Sequence, residues 1–289
     1  MSNTKLPDWG KRTYVMGIIN LTPDSFSGDG LLQQGDAAAA ALEQARRFVA
    51  AGADILDLGG ESTRPGAQPV SAAEEMERVL PALQALRTAN LDCILSVDTY
   101  KAEVAEAALA AGADWINDVW GLRADPALAG VIARCGAPVV LMHNRSRPNN
   151  AELQARLGGR YVGMVYDDLI GEVCRELMES IRMARAAGIP DKHIILDPGI
   201  GFGKTVEQNL ELINRLNMLK AMGFPVLLGA SRKSFIGYTL NLPIEQRLEG
   251  TAAAVAVGIV RGADVVRVHD VETMMRVARL TDAIVRAGC

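Results

Sequence analysis

Aromatic residues and cysteines are scarce in this sequence. Phe, Trp and Tyr make up only 4% of the 289 residues, so a core has to be built from the aliphatic side chains among the 49% that are apolar. Aliphatic cores are typical of parallel strands that are buried on both faces and of the helices that cover them. The four cysteines lie far apart, which argues against a disulfide framework and against a zinc site. They are Cys93, Cys135, Cys174 and Cys289.

The sequence also lacks an excess of positive charge, a signal peptide and a long apolar run. Its formal net charge is −4, so it has no basic field with which to displace counterions from a phosphate backbone. No run approaches the ~18 apolar residues of a transmembrane helix, and the N-terminus, Met1–Asp8, has no apolar stretch. We therefore predict a cytoplasmic protein with reduced thiols and with neither nucleic acid nor membrane among its partners.

Short apolar runs alternate with longer amphipathic segments along the whole chain. Eight strand-like runs and eight helix-like segments predict a (β/α)8 TIM barrel of the α/β class. We predict a single domain over residues 1–289, with residues 1–12 as an N-terminal extension. A doubly wound sheet with a second, smaller domain is the alternative. The predicted strands are Tyr14–Ile19, Asp54–Leu58, Cys93–Val97, Trp115–Ile116, Val139–Met142, Ile194–Leu196, Val226–Leu228 and Val265–Val268.

Three segments between the strands carry predictions of their own. The chain from His143 to His193 is roughly twice as long as a short βα unit requires, and its polar first part, Asn144–Gly159, predicts an extended loop on the rim of the barrel. The apolar period of Val206–Met222 and of Ile244–Arg261 predicts one continuous helix in each.

Polar residues follow the ends of the predicted strands. Because active sites of such barrels lie at the C-terminal ends of the strands, we expect these side chains to converge on one mouth. Taken singly, each is explained equally well as a turn or cap residue. The set comprises Asn20, Glu61–Arg64, Asp98, Thr99, Asn117, Asp118, His143, Asn144, Asp197, Ser231–Lys233 and Arg267–Asp270.

A glycine-rich segment, Asp197–Thr205, lies between a predicted strand and a predicted helix, as phosphate-binding loops do. Its spacing fits neither the dinucleotide motif nor the Walker A motif, which needs Gly where Pro198 stands. We therefore predict that it binds neither NAD nor ATP. Two further loops, Thr22–Gly30 and Gly59–Gly66, are predicted lids that order over a bound anion.

The end of the last strand predicts an anion site. Arg267 and His269 are alternating residues of a strand and therefore point to the same side. Asp270 begins a helix whose free N–H groups face the same mouth, where phosphate commonly binds in barrels. Lys233 lies at the neighbouring strand end. The alternative for His269 is a core histidine with a backbone partner.

Seven motifs in this sequence resemble, in order, those of the dihydropteroate synthase family. The resemblance extends over nearly the whole chain from about Tyr14 onward. One departure is that Ser27–Gly30 reads S-G-D-G, where the family usually has S-D-G-G. The motifs are Met16–Ser27, Glu61–Gly66, Ser96–Thr99, Ile116–Asp118, Leu196–Gly199, Ser231–Lys233 and Arg267–His269.

The resemblance implies a transferase of folate biosynthesis. It would join 6-hydroxymethyl-7,8-dihydropterin diphosphate to p-aminobenzoate, with release of diphosphate and formation of 7,8-dihydropteroate. The family also implies Mg²⁺ as cofactor, a homodimer formed through the later helices, and competition by sulfonamides at the p-aminobenzoate pocket. Loss of diphosphate in an SN1-like step would leave a methylene cation that the pterin delocalises.

Site residues are carried over from the family motif by motif. Asp197 would accept two hydrogen bonds from the pterin, Lys233 would donate to its O4 and N5, and Arg267 would stack on its ring. Asn20 would hold Mg²⁺. The implied catalytic set is Asn20, Asp24, Arg64, Lys233, Arg267 and His269. Pterin diphosphate would contact Thr63, Asp98, Asn117, Asp197, Lys233, Arg267 and His269, and p-aminobenzoate would contact Thr63, Pro65, Phe202 and Ser231.

Three other functions are compatible with parts of the pattern. A related pterin-barrel methyltransferase would use methyltetrahydrofolate and a corrinoid partner. A lyase would use Lys233 as a Schiff base, since a lysine at a strand end suits that role. A non-catalytic pterin-binding module would bind the pterin diphosphate without turning it over.

Overall fold

A computed structural model describes residues 5–22, 34–63, 67–147 and 150–287 of the chain, and the side chains of all of these except 34–36. The strands are β1 Tyr14–Asn20, β2 Ile55–Gly59, β3 Ile94–Asp98, β4 Trp115–Asp118, β5 Val139–Met142, β6 Ala151–Gln154, β7 Gly158–Tyr161, β8 Ile194–Asp197, β9 Leu227–Leu228 and β10 Val265–Val268. Eight of them are parallel and form one sheet in the order β8-β5-β4-β3-β2-β1-β10-β9. The two edges of this sheet meet, because Leu196 of β8 bridges Val226 just before β9 and the Leu196 N–H donates to the Pro225 carbonyl at 2.9 Å.

The predicted TIM barrel is therefore confirmed, and each predicted strand lies within about a residue or two of an observed one. Helices cover the outside of the sheet. They are α1 Gln34–Ala50, α2 Ala72–Thr88, α3 Ala102–Ala110, α4 Leu128–Cys135, α5 Leu169–Ala187, α6 Val206–Asn214, α7 Asn217–Lys220, α8 Ser234–Leu240, α9 Leu248–Val260 and α10 Val271–Val285. None of the described helices combines the length and the apolar character needed to cross a membrane.

Two of the three predictions about connecting segments concern helices and are wrong in detail. Val206–Met222 is broken into α6 and α7, although Leu216 at the break is fully buried. The apolar period thus reports the buried face and not the continuity of the helical hydrogen bonds. Ile244–Arg261 begins with a 3₁₀ turn at Ile244–Gln246, and α9 starts only at Leu248.

The predicted loop Asn144–Gly159 contains the first strand of an antiparallel hairpin. β6 pairs with β7, with Ala151 opposite Tyr161 and an ion pair between Arg160 and Glu152 at 2.9 Å. Most residues of the two strands are at least partly exposed. A hairpin that is solvated on both faces has no apolar alternation, so the sequence pattern could not reveal it.

Side chains of the barrel strands alternate between the helices and the barrel interior, with the period of two that β-structure imposes. In β2, Leu56 and Leu58 pack in the layer under the helices, whereas Ile55 belongs to a separate cluster inside the barrel. The N-terminal residues pack at the lower end of this inner cluster, where the Trp115 indole N–H donates to the Lys5 carbonyl at 2.9 Å. The upper, C-terminal end of the barrel interior is lined by polar side chains.

Candidate active site

Four polar side chains meet at the upper end of the barrel interior. Arg267 of β10 donates through Nε to Asp57 Oδ2 at 2.6 Å and through Nη2 to Asp98 Oδ2 at 2.8 Å. The Asn117 amide also donates to Asp57 Oδ2, at 2.9 Å. The strands that carry these residues are β2, β3, β4 and β10. Three of the predicted pterin-binding residues are thus brought together: Arg267 and Asn117 share Asp57 as a partner, and Asp98 is joined to them through Arg267.

Asp57 is the residue of this group that sequence reasoning missed. It is completely buried, and its Oδ1 has no hydrogen-bond partner among the described residues. A signal was present in the sequence, because an acid inside the apolar run Asp54–Leu58 is costly to bury without a partner. The period of two also places it on the inward face with Ile55. Strand-end reasoning missed it because it lies two residues before the end of β2.

Electrostatics in this cluster are dominated by burial. Burial raises the pKa of Asp98 above its ordinary value, and the Arg267 guanidinium opposes that rise. For Arg267 itself burial acts to lower the pKa, but Asp57 and Asp98 outweigh it and hold the pKa above its ordinary value. Charged and amide groups held in a shielded cavity suit the hydrogen bonding of a polar heterocycle.

Asp197 and Lys233 form the opposite wall. Asp197 ends β8, and its Oδ1 accepts the Gly199 N–H at 2.7 Å. Lys233 donates to the Ile200 carbonyl, and its Nζ lies 4.6 Å from the centroid of the Phe202 ring. A Cβ atom at Gly229 would lie 3.8 Å from Lys233 Nζ and 3.9 Å from Asp197 Oδ2, so both groups reach one point of the wall.

The two groups have opposite pKa shifts with the same cause. Burial raises the pKa of Asp197, against the attraction of Lys233. Burial also lowers the pKa of Lys233 to about 8, against the attraction of Asp197. A carboxylate and an ammonium group are therefore held together in a low-dielectric wall, where each of their hydrogen bonds to a ligand is strengthened.

A cavity of about 590 Å³ opens beside the last strand, and both Asn20 and His269 line it. The His269 N–H donates to Ser231 Oγ at 3.2 Å, and His269 Nδ1 lies 3.1 Å from the same oxygen. Asp270 precedes α10 but does not cap it with its side chain, because it is paired with Arg232. Of the predicted anion-binding residues, His269 and Asp270 line this cavity together with Asn20, the predicted Mg²⁺ ligand, whereas Lys233 and Arg267 face the barrel interior.

The remaining predicted site residues are only partly described. Thr63, after β2, and Phe202 are half-buried, and Ser231 is buried beside His269. Within the described part of the chain, no group of three or more His, Cys, Asp or Glu side chains is placed to hold a metal ion. The predictions on Asp24, Arg64, Pro65 and the segment Ser27–Gly30 lie outside the described residues.

Comparison with known proteins places this geometry in one family. The family model described as pterin binding enzyme matches residues 16–269. The dihydropteroate synthase of Clostridium beijerinckii is 49% identical over 278 residues, which cover 96% of each chain. Solved structures are similar as well. The dihydropteroate synthase of Clostridium difficile, crystallised in the presence of pteroic acid, has a TM-score of 0.88 at 47% identity, over 97% of this chain and 100% of that one.

The Yersinia pestis dihydropteroate synthase in a complex with a sulfonamide drug has a TM-score of 0.85 at 40% identity, over 96% of this chain and 95% of that one. Relatives of this similarity over almost the whole length confirm the family predicted from the seven motifs. The chain therefore belongs to the dihydropteroate synthases, transferases within the pterin-binding enzyme family.

Proposed function

We propose that this chain condenses 6-hydroxymethyl-7,8-dihydropterin diphosphate with p-aminobenzoate to give 7,8-dihydropteroate and diphosphate. The observation that carries the proposal is the convergence of an acid pair, an amide and two basic groups on one end of the barrel interior. These groups are Asp98, Asp197, Asn117, Lys233 and Arg267. They complement a flat heterocycle whose edges carry both donors and acceptors.

Pterin recognition is assigned to the cluster around Arg267 and to the opposite wall formed by Asp197 and Lys233. The Asp197 carboxylate accepts from the 2-amino group and from N3–H of the pterin, as paired acceptors facing paired donors. Lys233 donates to O4 and N5 in addition to the Ile200 carbonyl, and three donated hydrogen bonds require its ammonium form. Asp98 accepts a ring N–H, and the Asn117 amide, which is oriented by Asp57, satisfies a further ring nitrogen. Arg267 is held in place by Asp57 and Asp98 and stacks on the ring face.

Departure of diphosphate needs positive charge at the mouth. The cavity that contains Asn20 and His269 lies beside the start of α10, whose free N–H groups favour an anion. Mg²⁺ commonly binds through one or two protein oxygens plus substrate phosphates, and the Asn20 amide oxygen fits that requirement. Bound there, Mg²⁺ would neutralise charge on the leaving diphosphate. His269 and Arg267 add hydrogen bonds to the leaving diphosphate. Asp24 and Arg64 are proposed to join these groups from the two loops.

Bond exchange needs no protein nucleophile. The C–O bond to diphosphate breaks and leaves a methylene cation that the pterin delocalises. The neutral aryl amine of p-aminobenzoate then forms the C–N bond and loses one proton, which the released diphosphate accepts. Catalysis is positioning and leaving-group stabilisation in a site poor in water. Thr63, Phe202 and Ser231 are proposed to contact p-aminobenzoate, and the family motif adds Pro65 to this set; sulfonamides would compete there.

Diphosphate release by the purified chain tests the proposal. We expect release that requires both the pterin diphosphate and p-aminobenzoate, depends on Mg²⁺ and is inhibited by sulfamethoxazole in competition with p-aminobenzoate. Three results would overturn it in favour of another function. Methyl transfer to cob(I)alamin would indicate a methyltransferase, borohydride trapping of a carbonyl substrate on Lys233 would indicate a lyase, and calorimetric binding without turnover would indicate a pterin-binding module.

We propose a cytoplasmic location because the thiols in the described part of the chain are unpaired. The described cysteines, Cys93, Cys135 and Cys174, are all free. Burial raises the pKa of Cys93 to about 11, which keeps that thiol protonated and unreactive. Free thiols persist where glutathione and thioredoxin keep them reduced.

We also propose a homodimer that forms through α6, α8 and α9. These helices pack on one another and expose large apolar side chains that include Leu210, Leu240, Val257 and Val260, the last being 57% exposed. The substitutions Val257→Asp and Val260→Asp together are expected to give a monomer in sedimentation velocity, because each places a charge in the apolar contact. The matched control is Leu280→Asp on α10, which is also exposed and should leave the dimer intact. This interface would be contradicted if the wild type sediments as a monomer. It would also be contradicted if Leu280→Asp gives a monomer and the Val257→Asp, Val260→Asp variant does not.

A further inference from the structure

Lys204 is buried in the glycine-rich segment and is not part of the proposed chemistry. Its side chain is only 2% exposed, and its Nζ lies 3.0 Å from the carbonyl oxygens of both Gly199 and Phe202. The same nitrogen lies 2.9 Å from His143 Nδ1 and 3.4 Å from the His143 carbonyl. An ammonium group has three N–H bonds, and three of these acceptors are within normal hydrogen-bond distance.

His143 and Glu176 extend the contact toward the surface. His143 Nδ1 faces Lys204 Nζ, and on the other side of the ring Nε2 lies 3.1 Å from Glu176 Oε2. Burial and the Lys204 charge lower the pKa of His143 to about 3, so the ring stays neutral. Burial acts to raise the pKa of Glu176, but hydrogen bonds from His143 and Arg145 outweigh it and lower the pKa to about 2. Burial lowers the pKa of Lys204 well below its ordinary value. The Lys204 amino group, the neutral His143 imidazole and the Glu176 carboxylate thus lie in succession from the loop toward the surface.

The loop from Gly199 to Gly203 lies flat against the segment that carries His143. Gly199 has φ +69° and Gly203 has φ +59°, both in the left-handed region. A Cβ atom at Gly199 would overlap the His143 carbonyl oxygen, and one at Gly203 would overlap the Arg145 backbone. The loop can approach this closely only without side chains at the two positions, and Lys204 bonds it to the segment below.

Residues of this loop contact Asp197 and Lys233, the two groups of the wall that is proposed to bind the pterin. The Gly199 N–H donates to Asp197 Oδ1, and the Ile200 carbonyl accepts from Lys233. The carbonyls that Lys204 holds, those of Gly199 and Phe202, flank Ile200 on both sides. Any movement of the loop would therefore shift the Asp197 and Lys233 side chains relative to each other.

We propose that Lys204 is a positioning residue that holds the loop Gly199–Gly203, and through it the Asp197–Lys233 pair, in the geometry that binds the pterin. This inference rests on the proposed function, because it adds a residue to the same pterin site. Lys204 acts from behind the wall and does not contact the substrate. His143 and Glu176 orient its ammonium group.

The test uses Lys204→Met, which keeps the length of the side chain and removes the ammonium group. We expect kcat/KM for the pterin diphosphate to fall on the order of 100-fold, because misplacement of catalytic groups by about 1 Å costs that much. The loss should be divided between a higher calorimetric Kd for the pterin diphosphate and a lower kcat. A purely structural role would only reduce the fraction of folded enzyme and would leave the Kd of the folded fraction unchanged.

The control is Lys220→Met. Lys220 is a partly buried lysine whose ion pair with Asp264, at 2.6 Å, lies at the other end of the barrel strands. We expect its Kd and kcat to stay within twofold of wild type. If Lys204→Met does not fold, Glu176→Gln is measured in its place. We then expect a higher Kd for the pterin diphosphate and a lower kcat, both by smaller factors than in Lys204→Met. Wild-type Kd and kcat in Lys204→Met, or in Glu176→Gln if only that variant folds, would overturn the inference. Absence of turnover in the wild type would instead overturn the proposed function.

Discussion

Replacing Arg267 with methionine is expected to reduce both the activity and the stability of the protein by large amounts. Arg267 is paired with Asp57 and Asp98 inside the barrel, and Asp57 is completely buried. Removal of one partner of a buried ion pair leaves uncompensated charge, which costs about 3–5 kcal/mol. Loss of the group that stacks on the pterin and stabilises the leaving diphosphate should lower kcat/KM by roughly 1,000-fold. Urea unfolding and steady-state kinetics measure the two effects.

Two further variants separate the two losses. In the double variant Arg267→Met with Asp57→Asn, the negative charge of Asp57 is gone and that of Asp98 remains, so part of the lost free energy of unfolding should return while activity does not. Arg276→Met removes an exposed arginine that is paired with Glu272 on α10. That change should cost less than about 0.5 kcal/mol and leave kcat/KM unchanged. Wild-type stability in Arg267→Met would contradict the role of Arg267 as counter-ion to Asp57.

Replacing Asp197 with asparagine is expected to abolish most pterin binding without unfolding the protein. The asparagine oxygen can still accept the Gly199 N–H that Asp197 Oδ1 accepts at 2.7 Å. It cannot accept two hydrogen bonds from the pterin edge with a full negative charge. Loss of two charge-assisted hydrogen bonds of about 1.5–3 kcal/mol each lowers kcat/KM by roughly 10²–10⁴-fold. Calorimetry with the pterin diphosphate should show the same loss as a higher Kd.

Asp191→Asn provides the matched control for this prediction. Asp191 is an exposed aspartate just before β8, and it is paired with Arg185 on the surface. Its replacement should leave Kd and kcat/KM within twofold of wild type. A value of kcat/KM in Asp197→Asn within tenfold of wild type would show that the Asp197 carboxylate is not the main pterin ligand.

Much of the barrel and part of its site could be predicted because two simple sequence signals mark the strands and their ends. Each apolar run marks a strand buried on both faces, and the polar residue that follows it marks the C-terminal end. Asp98, Asn117 and Asp197 were found in this way, and each closes a strand or lies within it. Lys233 and Arg267 belong to the same set of strand-end residues and were predicted to bind an anion, and the resemblance to the family then gave all five residues their roles toward the pterin.

Other features left no such pattern. The β6–β7 hairpin is largely exposed and has no apolar alternation, and the break between α6 and α7 interrupts a continuous buried face. Lys204 was read only as part of a glycine-rich segment, because its acceptors come from backbone carbonyls and from His143, 61 positions earlier in the chain. Contacts of that kind depend on how the loops pack and not on the composition of any one segment.

A crystal structure of the chain with the pterin diphosphate bound tests the central claim most directly. We predict that the pterin lies in the upper end of the barrel interior, with its 2-amino group and N3–H on Asp197 and its ring beneath the Arg267 guanidinium. The diphosphate should extend toward the cavity that holds Asn20 and His269. A pterin bound elsewhere on the barrel, or bound there without contact to Asp197, would contradict the account.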